Sequence, residues 1–151
     1  RARLLELDAG EEYLQATVRP VAVRGIAADK RNQVEALVRS LKDCFEEYLS
    51  YSPQISKDVV YNIISSDSPL FLSEYMPANL LFKYEDKQTI LNESTLLGRL
   101  EKLLTLLRQE CQIMDIERDL DDKVNARMDK GQREYYLREQ MNVISEELGD
   151  A

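Results

Sequence analysis

The sequence contains no histidine among its 151 residues. This excludes a Ser-His-Asp triad, an imidazole metal ligand and the usual proton shuttle near neutral pH. Only two cysteines are present, Cys44 and Cys111, and each lies on the apolar side of a helical pattern. Two thiols are too few for a four-ligand zinc site, so we predict small buried side chains rather than a disulfide or a nucleophile. Reduced thiols fit a reducing compartment.

Glycine is also scarce, with five residues scattered along the chain. No two have the spacing of a phosphate-binding loop, and none precedes Lys-Ser or Lys-Thr, so we expect no ATP or other cofactor to bind this chain. Acidic pairs such as Asp121-Asp122 and Glu146-Glu147 are typical of solvated helix faces rather than of acid–base catalysis. We therefore expect no enzyme within these residues.

The charge and hydropathy exclude two further classes of protein. A net charge of −8 argues against a nucleic-acid surface, which needs clustered Lys and Arg. No run approaches the roughly 18 apolar residues of a membrane helix, and the start does not resemble a signal peptide. The chain begins without Met on a strand-like stretch, residues 1–7, from which we expect it to be part of a longer polypeptide.

The first 25 residues predict a β-hairpin and a connector. Polar and apolar residues alternate over residues 3–7 and 13–18, and residues 8–11 have turn chemistry between them. Pro20 should end the pairing, because proline lacks the N–H that a ladder needs. A lone hairpin is marginal in water, so we expect this one to belong to a sheet whose other strands are absent here.

Residues 26–92 predict a compact helical subdomain. Asp29 is a candidate cap for a first helix with one apolar stripe, which Ser52-Pro53 should end. Ser56 should open a second helix, and Ser68-Pro69 a third that ends or kinks at Pro77. A fourth helix, or a helix pair, is expected over residues 80–91.

One apolar stretch of this subdomain has two interpretations. Met76, Leu80, Leu81 and Phe82 surround the kink that Pro77 predicts. The simpler interpretation is ordinary core. The alternative is an adaptable, methionine-containing contact surface, and these four residues are therefore candidate partner contacts.

Residues 93–149 predict one long helix capped by Asn92 or Ser94, with Glu93 near its positive end. An uninterrupted helix from 92 to 148 would be roughly 80 Å long, more than a domain of this size can cover. The first half is strongly apolar and should pack on the helical subdomain. Charge dominates from residue 115 to residue 130, Gly131 is the expected weak point, and Gly149 should end the helix.

The end of this helix carries a second apolar seam, with the 4-3-4 spacing of a coiled coil. Because no other segment of the chain remains to cover it, we expect this part to project and to meet a partner. The seam residues, with the adjacent Tyr135, are candidate partner or substrate contacts: Tyr135, Leu137, Met141, Ile144 and Leu148.

The run from Gln132 to Met141, Gln-Arg-Glu-Tyr-Tyr-Leu-Arg-Glu-Gln-Met, closely resembles a helix of the Lon ATP-dependent proteases. In that family the helix lies between the amino-terminal region and the ATPase module. Residues 35–48 and 86–104 resemble helices of its helical subdomain, and residues 3–7 and 13–16 the closing strands of its amino-terminal β-domain. The resemblance spans essentially the whole chain, but no position matches the nucleotide-binding loops or the Ser-Lys proteolytic pair.

The resemblance implies a mainly α fold: the end of a truncated β-domain (1–25), a helical bundle (26–92) and a long coiled-coil-like helix (93–149). It implies a non-catalytic segment that engages unfolded or damaged proteins and positions the amino-terminal domains on a hexameric ring in the bacterial cytoplasm. ATP and Mg²⁺ would act in the ATPase module, outside this chain, and no nucleic acid or membrane would be a partner. The alternative is a purely structural coiled-coil adaptor that pairs helices without binding clients.

Overall fold

The computed structural model describes residues 1–52 and 54–149, which form two strands and five α-helices. The strands are β1 (Ala2–Ala9) and β2 (Leu14–Pro20). The helices are α1 (Arg31–Tyr51), α2 (Lys57–Ser65), α3 (Pro69–Asn79), α4 (Tyr84–Asn92) and α5 (Leu96–Glu147). The predicted mainly α fold, with a hairpin before the helices and one long carboxyl-terminal helix, is confirmed.

The chain divides into two units, Arg1–Arg108 and Gln109–Ala151, so the division falls inside α5. The predicted boundary at residues 92 and 93 instead coincides with the end of α4. The three-segment division from the sequence stays a prediction.

The two strands form an antiparallel hairpin with a β-bulge at Leu5. Leu4 lies opposite Val18 and Glu6 opposite Thr17, which leaves Leu5 without a partner residue. A bulge exchanges the two faces of a strand beyond it. The bulge therefore aligns the leucines on both sides of it into one apolar face, whose residues are Ala2, Leu4, Leu7, Ala9, Leu14, Ala16, Val18 and Pro20. The alternation of the sequence predicts that Leu5 and Leu7 lie on the same face of β1. The bulge was not predicted, and it places Leu4 rather than Leu5 on the face of Leu7.

The base of the hairpin is joined to the helices through Arg1 and Arg24. The Val21 N–H donates to the Arg1 carbonyl, 3.1 Å away, and closes the hairpin at its base. The Arg1 guanidinium donates to the carbonyl oxygens of Leu91, at 2.6 Å, and Glu93. An isolated parallel bridge pairs Arg24 with Thr95. The end of α4 and the start of α5 thus hold the hairpin through backbone groups, although both faces of the hairpin are exposed.

Helix α1 supplies the largest part of the core of the first unit. Its buried residues recur at helical spacing: Val34, Val38, Leu41, Cys44, Phe45 and Tyr48. The apolar stripe of the sequence also includes Leu37 and Leu49, and these two are only partly buried. Asp29 lies within a 3-10 turn, Ala28–Lys30, that leads into the helix, and no side chain caps α1. The cap predicted at Asp29 is therefore wrong. Ser52 follows the helix as predicted, whereas Pro53 lies outside the described residues.

Serine caps begin the next two helices, as the sequence predicts. The Ser56 side chain accepts a hydrogen bond from Val59 N–H, and Ser68 accepts one from Phe71 N–H with Pro69 in the first turn. Pro77 does not end α3, which continues to Asn79. Pro77 lies in the last turn, so the hydrogen bond that its missing N–H removes is at the end of the helix, where only Ala78 and Asn79 follow.

Residues 80–83 connect α3 to α4, and the prediction of a helix from residue 80 is wrong. The Leu81 N–H donates to the hydroxyl of buried Tyr48 at 3.3 Å. Leu80 and Phe82 are buried on either side of Leu81. The Phe82 N–H donates to the Leu80 carbonyl at 2.9 Å, so the connector turns tightly at Leu81, with Leu80 and Phe82 in the core and the Leu81 side chain exposed.

Thr95, and not Asn92 or Ser94, caps α5: its hydroxyl accepts from Gly98 N–H at 3.1 Å. The helix then runs from Leu96 to Glu147 without a break at Gly131. It ends where the sequence predicts, because Gly149 has φ +72°, a left-handed conformation that glycine adopts without strain. Within the first unit, the α5 residues that complete the core are Leu96, Leu100, Leu103, Leu104 and Leu107.

Candidate partner-binding surfaces

The predicted distal seam is exposed along its whole length. The exposed fractions are 48% for Leu137, 67% for Met141, 58% for Ile144 and 74% for Leu148. At 3.6 residues per turn, positions three and four apart share one side of a helix, so these four residues form a single ridge. An ordinary protein surface exposes hydrophobic residues singly, whereas here four large apolar side chains form one contiguous exposed row.

Tyr135 does not belong to this ridge, although it is 68% exposed. A residue two positions before Leu137 lies about 160° around the helix from it. Tyr136 and Val143, at 62% and 56% exposed, lie beside the ridge instead. Neither residue was predicted, because the narrow 4-3-4 spacing does not include residues at the edge of a wider apolar stripe.

A shallow groove of about 480 Å³ lies along this side of the helix, lined by Tyr136, Glu139, Gln140, Val143 and Ile144. The Gln140 side-chain amide donates to the Tyr136 hydroxyl at 3.0 Å. Tyr136 lines the groove together with Val143 and Ile144, so its ring adds to the apolar surface there. The ridge and its two neighbours, Leu137, Met141, Ile144, Leu148, Tyr136 and Val143, are called the distal apolar face below.

The apolar residues before Gly131 have a different arrangement. Ile116, Leu120, Val124 and Met128 are all between 54% and 58% exposed and recur every fourth residue. Each four-residue step advances about 40° around a helix, so this row winds around α5. The distal apolar face keeps to one side because its 4-3-4 spacing stays close to the roughly 3.6 residues of a helical turn.

The second predicted surface, near Pro77, is mostly core. Met76 is 0% exposed, Leu80 is 1% exposed and Phe82 is 7% exposed. These three side chains fill the centre of the first unit, so they are not available to a partner in this structure. Leu81 differs, since its side chain is 64% exposed, and it alone of the four presents an apolar surface.

The first unit contains one buried cation that the sequence analysis missed. Arg99 is 3% exposed, and its Nε and Nη1 atoms have no hydrogen-bond partner among the described residues. Burial lowers the pKa of its guanidinium, and the positive charge of Arg1 lowers it further; Glu74 has the opposite effect. A signal existed, since Arg99 lies three residues after Leu96 and four before Leu103, which places it on the apolar side of the helix pattern.

Two carboxylates of the first unit have lowered pKa values. The hydrogen bond from Lys42, at 2.8 Å, lowers the pKa of Asp67. A bond from Lys102 lowers the pKa of Glu93, whose side chain also accepts from Ser94 N–H. Both carboxylates therefore stay ionised at neutral pH and act as charge partners within the fold.

Among residues 1–52 and 54–149, no group of three or more acidic or cysteine side chains is arranged to hold a metal ion. Over the same residues, no helix is both long and apolar enough to cross a membrane.

The sequence of this chain matches a known protein family. The sequence model of the ATP-dependent protease La (LON) substrate-binding domain matches residues 1–109. The chain therefore belongs to that family and corresponds to the amino-terminal, substrate-binding segment of a Lon protease. The match ends within one residue of the first structural unit, Arg1–Arg108, so the distal apolar face lies beyond the matched domain.

Relatives extend the similarity over nearly the whole chain. It is 38% identical to the Lon protease of Brevibacillus choshinensis over 143 residues, which are 93% of this chain and 18% of that protein. It is 36% identical to the Lon protease of Heliobacterium modesticaldum over 150 residues, and 35% identical to that of Escherichia coli strain K12 over 150 residues. Those alignments cover 99% of this chain and 18% and 19% of the two relatives. The chain thus spans about a fifth of the length of the relatives that it matches.

Proposed function

We propose that this chain is a non-catalytic segment of a Lon-type ATP-dependent protease that binds unfolded or damaged protein substrates. In this proposal it also positions the amino-terminal domains on a hexameric ring. The observation that carries the proposal is the distal apolar face, an exposed row of large side chains on a chain whose first 109 residues match a substrate-binding domain.

The binding would be weak and apolar. An unfolded protein exposes hydrophobic side chains that a folded protein buries, and covering apolar surface contributes about 25 cal/mol per Å². A short row such as Leu137, Met141 and Ile144 gives little affinity for one copy, because association itself carries a large entropic cost. Six copies on one ring would raise the overall affinity through effective concentration.

The adaptor hypothesis rests on a separate observation. The spacing of Leu137, Met141, Ile144 and Leu148 is that of a coiled-coil seam, and these residues lie outside the match to the substrate-binding domain. A helix from a second copy would cover such a seam. In that case the distal apolar face would pair helices, and clients would bind elsewhere.

A matched pair of double variants separates the two hypotheses. Met141→Glu with Ile144→Glu places two charges on the distal apolar face. Asn125→Glu with Asn142→Glu places the same charges at two exposed asparagines of α5, neither of which lies three or four residues from a member of that face. Each variant is mixed with a fluorescently labelled, permanently unfolded model protein, and binding is followed by anisotropy. Light scattering reports the oligomeric state of the same samples.

Substrate binding predicts at least about tenfold weaker capture of the unfolded protein by Met141→Glu/Ile144→Glu, with the Asn125→Glu/Asn142→Glu control unchanged. Loss of an oligomer with undiminished capture would favour the adaptor hypothesis instead. If the unsubstituted chain captures no unfolded protein at any concentration tested, the proposed function is refuted.

The proposal assigns no chemistry to this chain. ATP hydrolysis and peptide-bond cleavage, with their ATP and Mg²⁺, would belong to the other modules of the full-length protein. We place the protein in the bacterial cytoplasm, because the relatives are bacterial and the sequence has two thiols of the kind expected in a reducing compartment. Hydrolysis of ATP or of a peptide by the purified chain would contradict this assignment.

A further inference from the structure

A pocket of about 410 Å³ lies in the first unit, between α3, α4 and the start of α5. Three cationic side chains line it, from Arg1, Lys87 and Arg99, and one acidic side chain, Glu74. The remaining wall is largely apolar and includes Pro77, Ile90 and Leu91. Its cations therefore outnumber its carboxylate by three to one.

Arg99 has too few partners for a buried guanidinium. The Glu74 Oε1 atom lies 3.6 Å from Nη1, beyond normal hydrogen-bond distance, and Nε and Nη1 have no hydrogen-bond partner among the described residues. Buried arginine normally binds a carboxylate through two parallel N–H···O bonds. Glu74 does not supply this arrangement, because its side chain is 55% exposed and only approaches the guanidinium.

The positive charge of Arg1 adds to the attraction of the pocket for an anion. Arg1 donates to the neutral carbonyl oxygens of Leu91 and Glu93, which leave its positive charge uncompensated. That charge lies close enough to Arg99 to lower the pKa of its guanidinium. A bound anion would offset the repulsion between the two arginines and satisfy the buried N–H groups together.

We propose that this pocket binds a carboxylate group of a protein or peptide, which takes the position beside Arg99 that Glu74 only approaches. A carboxylate is planar and matches the two-pronged donor geometry of a guanidinium. The apolar wall at Pro77, Ile90 and Leu91 suits a hydrophobic side chain next to that carboxylate. The carboxylate is either the carboxyl terminus of a chain or an acidic side chain within it.

This inference rests on the proposed function, because it names a chemical feature of the polypeptides that the segment would bind. It concerns a different site from the distal apolar face, and the pocket lies entirely within the part of the chain that matches the substrate-binding domain.

Three fluorescent hexapeptides test the proposal with the 151-residue chain. The first ends in Leu with a free carboxylate, and the second is identical but amidated. The third is amidated and carries one internal Glu. We expect amidation to weaken binding about tenfold or more, the scale of a lost charge-assisted hydrogen bond. Recovery of binding by the third peptide would assign the site to acidic side chains, and no recovery would assign it to chain termini. Equal binding of the first two peptides, with no gain for the third, would overturn the proposal.

Substitutions of pocket residues test whether the peptides bind in this pocket. Lys87→Met and Arg99→Met should weaken binding of the carboxylate peptide, whereas Glu74→Gln should strengthen it by removing a competing carboxylate. Lys57→Met, an exposed lysine of α2, is the matched control for charge and should have no effect. Because Arg99 is buried and its variant is at risk of misfolding, Lys87→Met and Glu74→Gln decide the result. No change in either would overturn the proposal.

The unfolded model protein distinguishes this proposal from the proposed function. Capture of that protein together with indifference to the peptide carboxylate would overturn the pocket and leave the proposed function standing. Carboxylate-dependent peptide binding without capture of the unfolded protein would support the pocket and refute the proposed function.

Discussion

The side chain of Glu93 lies directly against the backbone of Gly98, in the first turn of α5. A Cβ atom at Gly98 would come within 2.7 Å of Glu93 Cδ and 2.8 Å of its Oε1. The absence of a side chain at Gly98 thus leaves room for a carboxylate at the amino-terminal end of the helix, where the helix dipole favours negative charge. Glu93 Oε2 also lies 3.1 Å from Lys102 Nζ, one turn further along.

Gly98→Ala should displace the Glu93 side chain and change stability by less than about 1 kcal/mol. Alanine raises helix propensity by about 1 kcal/mol relative to glycine, and loss of the carboxylate contacts opposes that gain. Urea unfolding measures the net change. A loss of several kcal/mol would mean that the backbone, rather than the flexible side chain, has to move.

Glu93→Gln should remove part of the acid sensitivity of the fold. The folded-state pKa of Glu93 is lowered from its usual 4.5, so the ionised group stabilises the protein above that pH. This contribution is lost as the pH falls from 4.5 through the lower folded-state pKa. The free energy of unfolding, measured by urea titration from about pH 7 down to about pH 3, should therefore fall less steeply in the variant. Identical slopes would refute the role of Glu93.

Met76→Ala should destabilise the first unit by about 2–5 kcal/mol, because Met76 is fully buried and its truncation leaves a cavity. Leu81→Ala is the matched comparison. It removes a similar apolar volume from a side chain that is 64% exposed, and should cost less than about 0.5 kcal/mol. Denaturant midpoints of the two variants check the contrast. Equal losses would place Leu81 in the core.

Tyr48→Phe should cost about 1–3 kcal/mol although it removes a single oxygen atom. The Tyr48 hydroxyl accepts the Leu81 N–H, and the variant leaves that partly buried donor without this bond. Amide hydrogen exchange at Leu81 should quicken more than exchange in the middle of α1. Unchanged exchange at Leu81 would show that the hydroxyl does not hold the connector.

Several features of this fold follow from local chemistry and were predictable. The caps at Ser56 and Ser68 are local, because each hydroxyl accepts a hydrogen bond from the N–H three residues later in the same helix. The apolar stripe of α1 and the end of α5 at Gly149 are equally local. The exposed seam at Leu137, Met141 and Ile144 is a pattern within one helix, so its spacing alone predicted the ridge.

Other features depend on residues that are distant in sequence, and no local pattern indicates them. The bulge at Leu5 exists because β2 pairs with β1 in a particular register. Residues 80–82 form a tight turn rather than a helix, and the Leu81 N–H in that turn is bound by the hydroxyl of Tyr48, 33 positions earlier. Their apolar composition was visible in the sequence, but whether each side chain faces the core or solvent was not.

The sequence by itself determined the mainly α fold, the helix ends that carry their own caps, and the family, because these depend on neighbouring residues and on ordered motifs. The tertiary structure alone decided that Met76, Leu80 and Phe82 are core and that Arg1 and Glu74 lie beside Arg99. The physical reason is that burial and charge pairing are set by which helices meet, and those contacts join positions that are far apart along the chain.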